Sequence, residues 1–290
     1  MSVLSDKQII DGLISGQIIC RPLRPENIRS SSIDLTLGEW FWRCDARPGG
    51  VFNPYDEAEV KRYFDGPFQA KPYASVFDKI GWREDGWPAP AGHMNMFEAR
   101  QSPGLDHDPL PEHPFKGIPE DWPVIVLRPR ERILAHSHEF VGIKAPTKAH
   151  WDGGAWIRAK VGGTSMLKAR SSTGRVGLKV CDDAGWGDIG YFSRWTWEMR
   201  NDNDEAIIIP IGERLAQIVF FQTGDPREGE SYGVEKLYQS KYQDTDDVDD
   251  LIARWTPEAM LPRAFKDERR PLLPLDAELY LRALDDMRSA

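Results

Sequence analysis

Hydrophobic and polar positions follow two different periods along this chain. Between Ser5 and Gly16, residues Ile9, Ile10 and Leu13 fall at i, i+1 and i+4, which lays one apolar face along a short helix. Ser5 suits the N-cap, because its hydroxyl accepts a backbone N–H that the first turn leaves free, and Gly16 suits the stop. The period then drops to two. Ser32-Ile33-Asp34-Leu35-Thr36-Leu37 alternates and predicts a strand with Ile33, Leu35 and Leu37 turned to the core. From 122 to 223 strands dominate, at 124–127, 132–136, 155–160, 176–180, 194–199, 206–211 and 215–221. Turn residues punctuate them, as at Gly153-Gly154, Gly162-Gly163, Asn201-Asp202-Asn203 and Gly212. Many short strands without repeated βα units predict an all-β sandwich or barrel.

Two stretches break this pattern. Residues 45–121 are rich in Pro, Gly, Asp and aromatics, and only 56–64 reads as helical. An irregular stretch of that length is uncommon inside a compact domain, so it is expected to be an insertion that packs through its Trp, Phe and Tyr side chains. After Gln243, an acidic run (Asp244, Asp246, Asp247, Asp249, Asp250) predicts a solvated linker. A Pro-rich segment and a terminal helix follow, with Leu275, Leu279 and Ala283 assigned to one face. The expected organisation is one domain over 1–243, with the insertion at about 45–121, and an extension over 244–290.

Composition narrows the function classes. The 290 residues are 40% hydrophobic and carry a formal net charge of −9. That balance weighs against a nucleic-acid polymer as partner, since such binding needs cations to replace phosphate counterions. A small anionic substrate needs only a local cluster of Arg and Lys. Cys20, Cys44 and Cys181 lie far apart with no Cys-x-x-Cys, so neither a zinc site nor a disulfide framework is expected. Met1 to Asp6 has no basic-then-apolar pattern, and no apolar run is long enough to span a bilayer. A cytoplasmic location without membrane contact is expected.

The zinc-deaminase pattern, His-x-Glu with Pro-Cys-x-x-Cys, is absent. His136 and His138 lie two apart on a predicted strand and share its face, which reads as packing or surface rather than metal binding. Two segments carry more. Ala169-Arg170-Ser171-Ser172-Thr173-Gly174-Arg175-Val176-Gly177-Leu178 sets two cations, two adjacent hydroxyls and a Gly between strands. Such a turn can offer backbone N–H groups and guanidiniums to phosphate, although a polar hairpin turn has the same composition. In Trp195-Thr196-Trp197-Glu198-Met199, period two puts the Trp residues and Met199 on one face and Thr196 and Glu198 on the other. A strand Glu normally meets solvent; a desolvated one has a raised pKa and suits proton shuttling.

Together these segments resemble the dCTP deaminase branch of the dUTPase superfamily. Leu4-Ser5-Asp6 with Ser31-Ser32-Ile33-Asp34-Leu35 is similar to that family's opening motifs. The run from Leu127-Arg128-Pro129 to Ala135 is similar to its Leu-His-Pro-Gly-Glu strand pair. Arg170-Ser171-Ser172 with Arg175-Val176-Gly177-Leu178 is the most specific match, to Arg-Ser-Ser-x-x-Arg-Leu-Gly-Leu. Ala184, Asp188, Gly190, Glu198, Asn201, Gly212 and Gln217-Ile218-Val219-Phe220-Phe221 follow in order, and Lys241-Tyr242-Gln243 resembles the closing Ser-Lys-Tyr-Gln. The similarity covers about 3–44 and 122–243.

The resemblance implies a distorted jelly-roll β-barrel, with a short N-terminal helix and a C-terminal helical extension, assembled as a homotrimer with sites between subunits. It implies metal-free hydrolytic deamination of a deoxycytidine nucleotide, dCTP by default, to the deoxyuridine nucleotide and ammonia. Glu198 matches the general base, while Ser171 and Arg175 match residues that hold the water and stabilise developing charge. The implied substrate-binding positions are Arg170, Ser172, Ala184, Asp188, Tyr191, Gln217, Tyr232 and Lys241. Of these, Arg170, Ser172 and Lys241 match phosphate contacts, Asp188 the sugar hydroxyl ligand and Tyr191 the ring on the deoxyribose. Mg2+ is expected with the nucleotide phosphates, and no zinc. Two departures stand out. Cys181-Asp182-Asp183 replaces the usual His, apolar residue and Thr, and Asp244-Thr245-Asp246-Asp247 replaces a Gln- and Arg-bearing closing loop. Alternative expectations are a dUTP pyrophosphatase or bifunctional deaminase/dUTPase, favoured by Asp188-x-x-Tyr191, and a nucleotide-binding regulatory protein without turnover.

Overall fold

The N-terminal helix forms where its pattern places it. Asp6–Ile14 is helical, and Ser5 caps it through a reciprocal box in which Ser5 Oγ accepts from the Gln8 N–H and Gln8 Oε1 accepts from the Ser5 N–H. The computed structural model describes residues 2–44, 50–77, 117–147, 150–152, 155–157, 162–182, 184–224, 232, 241–269 and 271–289. Among them, strands dominate. One sheet runs in the order Trp186–Gly187, Gly163–Ala169, Arg214–Gln222, Ser32–Thr36, Ile28–Arg29, with Ser2–Val3 added on Arg214–Gln222. A second runs Leu178–Lys179, Phe192–Asn201, Arg132–Ile143, Trp40–Cys44, Phe64–Gln69, with Ile18–Arg21 added on Arg132–Ile143. A small sheet of Ile207–Pro210, Pro123–Leu127 and Lys71–Pro72 completes the main strands.

The two large sheets share one core. Ile33, Leu35 and Leu37 meet Trp195, Trp197, Met199, Ile218 and Phe220 in a single buried cluster. The alternation at 32–37 and 195–199 therefore means what the sequence implied, and the architecture is all-β. Burial at this scale supplies the main driving force of folding, about 1.5–3 kcal/mol per large apolar side chain.

Several expected boundaries move. The 132–136 strand extends through Ile143, and Gly163–Ala169, Trp40–Cys44 and Ile18–Arg21 are strands without an alternating signal strong enough to flag them. Their residues are buried on both faces or sit next to turn glycines, so period two is lost. Of the expected 176–180 strand only Leu178–Lys179 pairs, and the phosphate-like turn begins with a five-residue helix, Ser171–Arg175. Ala155–Ile157 pairs with His150–Asp152, while 158–160 lie outside the described residues.

The insertion and the extension differ more from expectation. Within the insertion, Asp56 caps the helix Glu57–Tyr63, and Phe64–Gln69 then joins the second sheet beside Trp40–Cys44. Most of the remainder, 45–49 and 78–116, lies outside the described residues. The acidic run leads into a docked helix rather than forming a solvated linker throughout. Asp247 caps Val248–Arg254, and its carboxylate accepts from the Asp250 N–H. The aspartates stay in water while Val248 and Leu251 are buried against Ile19, Phe140 and Phe192. Composition reported the polar face, and the period-3 spacing of Val248 and Leu251 carried the buried one. The terminal helix spans Ala277–Ser289, so Leu275 precedes it instead of sharing a face with Leu279 and Ala283. No helix among the described residues is long and apolar enough to cross a membrane.

Candidate active site

A pocket of about 370 Å³ opens on the outer face of the second sheet. Strand alternation explains its floor. Trp195, Trp197 and Met199 point inward, so Arg194, Thr196 and Glu198 point outward into the pocket. Leu134 is the cross-strand partner of Glu198 and Thr196 is that of His136, and Leu134 and Arg132 join the lining from the neighbouring strand.

Glu198 is the chemically distinctive group. One carboxyl oxygen, Oε2, is buried without a hydrogen-bond partner. Burial pushes its pKa above the ordinary 4.5; its own backbone N–H and the Arg132 guanidinium pull the other way, and Asp182 adds to the rise. A carboxylate so placed is a stronger base than one in water, and a proton acceptor for whatever enters the pocket.

A tight turn brings in the next group. The Tyr191 N–H donates to the Asp188 carbonyl at 3.0 Å, and Gly190 sits at φ +90, a conformation that favours glycine. A Cβ on Gly190 would also lie 2.3 Å from the Tyr232 carbonyl oxygen. The turn thereby sets Asp188 and Tyr191 on the pocket wall together with Tyr232, whose ring meets Tyr191 edge-on at 5.5 Å. Trp195 packs on the other side of Tyr191 at 5.4 Å, and burial holds the Tyr191 phenol above its usual range. Ala184 and Trp186 complete this end.

The closing triplet divides its work. The Gln243 side chain is buried; its Oε1 accepts from the Phe192 N–H at 2.9 Å and its Nε2 donates to the Gly190 carbonyl. Tyr242 lines the pocket. Lys241 makes an ion pair with Asp267, from the extension.

The structure thus gathers Glu198, Ala184, Asp188, Tyr191 and Tyr232 around one cavity. Arg170, Ser171, Ser172, Arg175 and Gln217 do not line it. They belong to the first sheet and its following helix. Ser171 and Arg175 are exposed on Ser171–Arg175. Gln217 pairs in register with Asp34, and Asp34 gathers three guanidiniums: Arg29 at 2.9 Å, Arg214 at 3.3 Å and Arg170 at 3.4 Å. Asp34 is 2% exposed, and it is the shared buried counter-charge of the three guanidiniums. Replacing Asp34 by Ala is expected to cost about 2 kcal/mol by leaving the guanidiniums without their buried counter-charge, measurable by urea unfolding; no loss would overturn that pairing as a stabilising one.

Sequence reasoning did not find Arg132, Trp186, Tyr242, Phe64 or Met260, all of which line the pocket. Arg132 lies in a recognised strand, and only the register reveals its proximity to Glu198. Phe64 and Met260 come from the insertion and the extension, where no motif marks them. Of the departing triplet, Cys181 donates its S–H to the Leu167 carbonyl and Asp182 lies toward Glu198, while Asp183 lies outside the described residues. Among the described residues, no cluster of three His, Cys, Asp or Glu is arranged to hold a metal ion.

Comparison with known proteins bears on this geometry. Residues 157–223 match the model of the family described as dCTP deaminase-like. A protein of Methanopyrus kandleri named dCTP deaminase, dUMP-forming, is 32% identical over 252 residues, covering 83% of this chain and 96% of its own length. A protein of Persephonella marina with the same name is 29% identical over 241 residues, covering 83% and 91%. Among solved structures, the 2'-deoxycytidine 5'-triphosphate deaminase of Agrobacterium tumefaciens aligns with a TM-score of 0.38 at 19% identity, over 77% of this chain and 48% of that one, about half its length.

Proposed function

The chain belongs to the dCTP deaminase family, and from that premise we propose that it hydrolytically deaminates a deoxycytidine nucleotide, dCTP by default, releasing ammonia. The observation that carries the reading is the buried, unpartnered oxygen of Glu198 in a pocket shared with Asp188 and Tyr191. In this reading Glu198 accepts a proton as water adds to C4 of the cytosine ring. It delivers that proton to N3, then takes the proton of the new C4 hydroxyl and passes it to the amino group; the C4–N bond breaks, and ammonia leaves as C4 becomes a carbonyl. Glu198 ends as the carboxylate it began as. Tyr191 bears on the deoxyribose and Asp188 accepts from its hydroxyl.

Charge stabilisation and phosphate binding fall to Ser171, Arg175, Arg170, Ser172 and Lys241. The first four do not line Glu198's pocket in their own chain. We therefore assign the complete site to two neighbouring copies in a homotrimer, each giving Glu198 to one site and the Ser171–Arg175 helix to another. The donor set at that helix is cationic and hydroxyl-bearing, which suits phosphate oxygens. A Mg2+ ion accompanying the triphosphate would offset part of its charge beside these cations. Cys20, Cys44 and Cys181 are free cysteines, and a cytoplasmic setting is part of the same reading.

A second reading concerns the product. The names of the relatives from M. kandleri and P. marina specify dUMP formation, which favours pyrophosphate release after deamination here as well. Incubation with dCTP, dCMP and 5-methyl-dCTP, with ammonia and pyrophosphate measured together, tests both. Ammonia with dUTP supports deamination alone, and equal ammonia and pyrophosphate support the dUMP route. Nucleotide binding with neither product overturns both readings and leaves a regulatory protein.

A further inference from the structure

The face that carries Glu198 is the outer face of a two-sheet core, and such a face ordinarily meets water. Here it does not. Leu134 is 4% exposed and His136 1%. The C-terminal extension, laid across the sheet and held at several points, covers them together with Trp42, Val60 and Phe64 over Leu134 and the 38–40 backbone beside His136. Val248 and Leu251 anchor its helix on Ile19, Phe140 and Phe192. The Trp255 ring stacks over the Arg194 guanidinium at 4.5 Å and meets the His136 ring at 4.8 Å with the planes tilted by 50°, while Phe140 flanks the same guanidinium at 4.9 Å. The Trp42 indole N–H donates to the Pro257 carbonyl at 2.9 Å. Met260, 3% exposed, is buried with Trp42, Val60, Phe64 and Leu134, so the extension and the insertion share one apolar cluster. At the far end the Arg263 N–H donates to the Tyr242 hydroxyl at 3.1 Å, and Asp267 pairs with Lys241. Between these anchors, Ala259, Met260 and Pro262 line the pocket that holds Glu198.

We infer that segment 255–262 is a built part of the active site: it forms the apolar wall of the Glu198 pocket, with Met260 and Trp255 as positioning residues that keep the carboxylate out of bulk water. This inference rests on Glu198 acting as the base. Leu134 links the two directly, as cross-strand partner of Glu198 and cluster neighbour of Met260. The wall adds burial without charge, since Ala259, Met260 and Pro262 ionise nowhere. The charged and titratable groups facing Glu198 come from elsewhere: Arg132 and Arg194 from its sheet, Asp182 from the preceding loop, Asp188 and Tyr191 from the turn, and Tyr232 and Tyr242 beside them. Thinning the wall therefore hydrates the carboxylate and moves its titration in one direction, downward.

The test uses the full chain with Met260→Ala, Met260→Gln and Trp255→Ala, and with Met260→Leu and Trp255→Phe as conservative partners. Met260→Gln wets the wall at nearly constant volume, so it reports even where the cavity variant fails to fold. The first readout is the carboxyl titration of Glu198 itself, by infrared difference against Glu198→Gln, which requires no substrate. The second is the pH dependence of kcat and KM with dCTP. In the Ala and Gln variants the expected result is a carboxyl titrating about half a unit or more lower. Their kcat falls about 10-fold and the acid limb shifts to lower pH, while Met260→Leu and Trp255→Phe keep the parent's behaviour. An unchanged Glu198 titration in a folded Met260→Gln or Trp255→Ala protein overturns the inference. Should the unsubstituted protein release no ammonia, the proposed activity falls, while the titration still decides whether the extension walls the pocket.

Discussion

Glu198→Gln lowers ammonia release from dCTP by about 10²–10⁴-fold, the usual contribution of a positioned general base, while nucleotide binding persists. Gln keeps the shape and the hydrogen-bonding oxygen but cannot accept the proton from water. The same variant is expected to be more stable than the parent at neutral pH. Burial raises the Glu198 pKa above its ordinary 4.5, so between the two values the folded chain binds more protons than the unfolded one. The folded state loses stability as pH rises through that window, because a buried carboxylate must then carry its charge with Oε2 unpartnered. Gln removes that cost, which predicts a gain of about 1 kcal/mol and a Tm rise of about 2–4 °C at pH 7. The gain disappears below the unfolded pKa. Differential scanning calorimetry of both proteins from pH 4 to pH 8 checks the sign. Full activity in Glu198→Gln, or a parent that is the more stable of the two at pH 8, would remove Glu198 from the role proposed for it.

Mixed oligomers give the second large effect. Glu198→Gln and Arg175→Ala are each expected to be inactive as pure proteins. Co-expressed under two tags and purified through both, they recover activity to about a third of the parent level, because one of the three sites in each doubly tagged trimer draws Glu198 and Arg175 from intact copies. This expectation follows from the pocket lining. Asp188, Tyr191 and Glu198 share a cavity, whereas Arg170, Ser171, Ser172 and Arg175 stand apart on the other sheet's side of the chain. Doubly tagged oligomers with no recovered activity would place both residues in one copy's site. The three-guanidinium cluster on Asp34 belongs to the same half, and it fixes Arg170 beside the Ser171–Arg175 helix.

How much of this is legible in the sequence differs by residue. Glu198 is visible as a polar position on an alternating strand, and Asp188-x-Gly190-Tyr191 as a turn that needs glycine. Both are local: one follows from the strand's period, the other from a backbone angle. The acidic run misleads because Asp249 and Asp250, with Asp247 at the cap, describe the solvated face of a helix and hide its two buried residues. Phe64 and Met260 have no readable signal at all. They lie about 200 residues apart in a segment of mixed composition and a Pro-rich tail, and their meeting over Leu134 is a product of docking.

By itself the sequence determined the β architecture, the inward set of Ile33, Leu35, Trp195 and Trp197, and the motif order that marks the family, because these depend on neighbours a few residues away. Only the tertiary structure decided that the outward face of the Glu198 strand is largely covered. Strand alternation puts Glu198 on the side away from the core, and no local rule makes that side anything but wet. Trp255 and Met260 reverse the outcome by covering it from the far end of the chain, and desolvation, which depends on everything within reach in space, then sets the strength of the base.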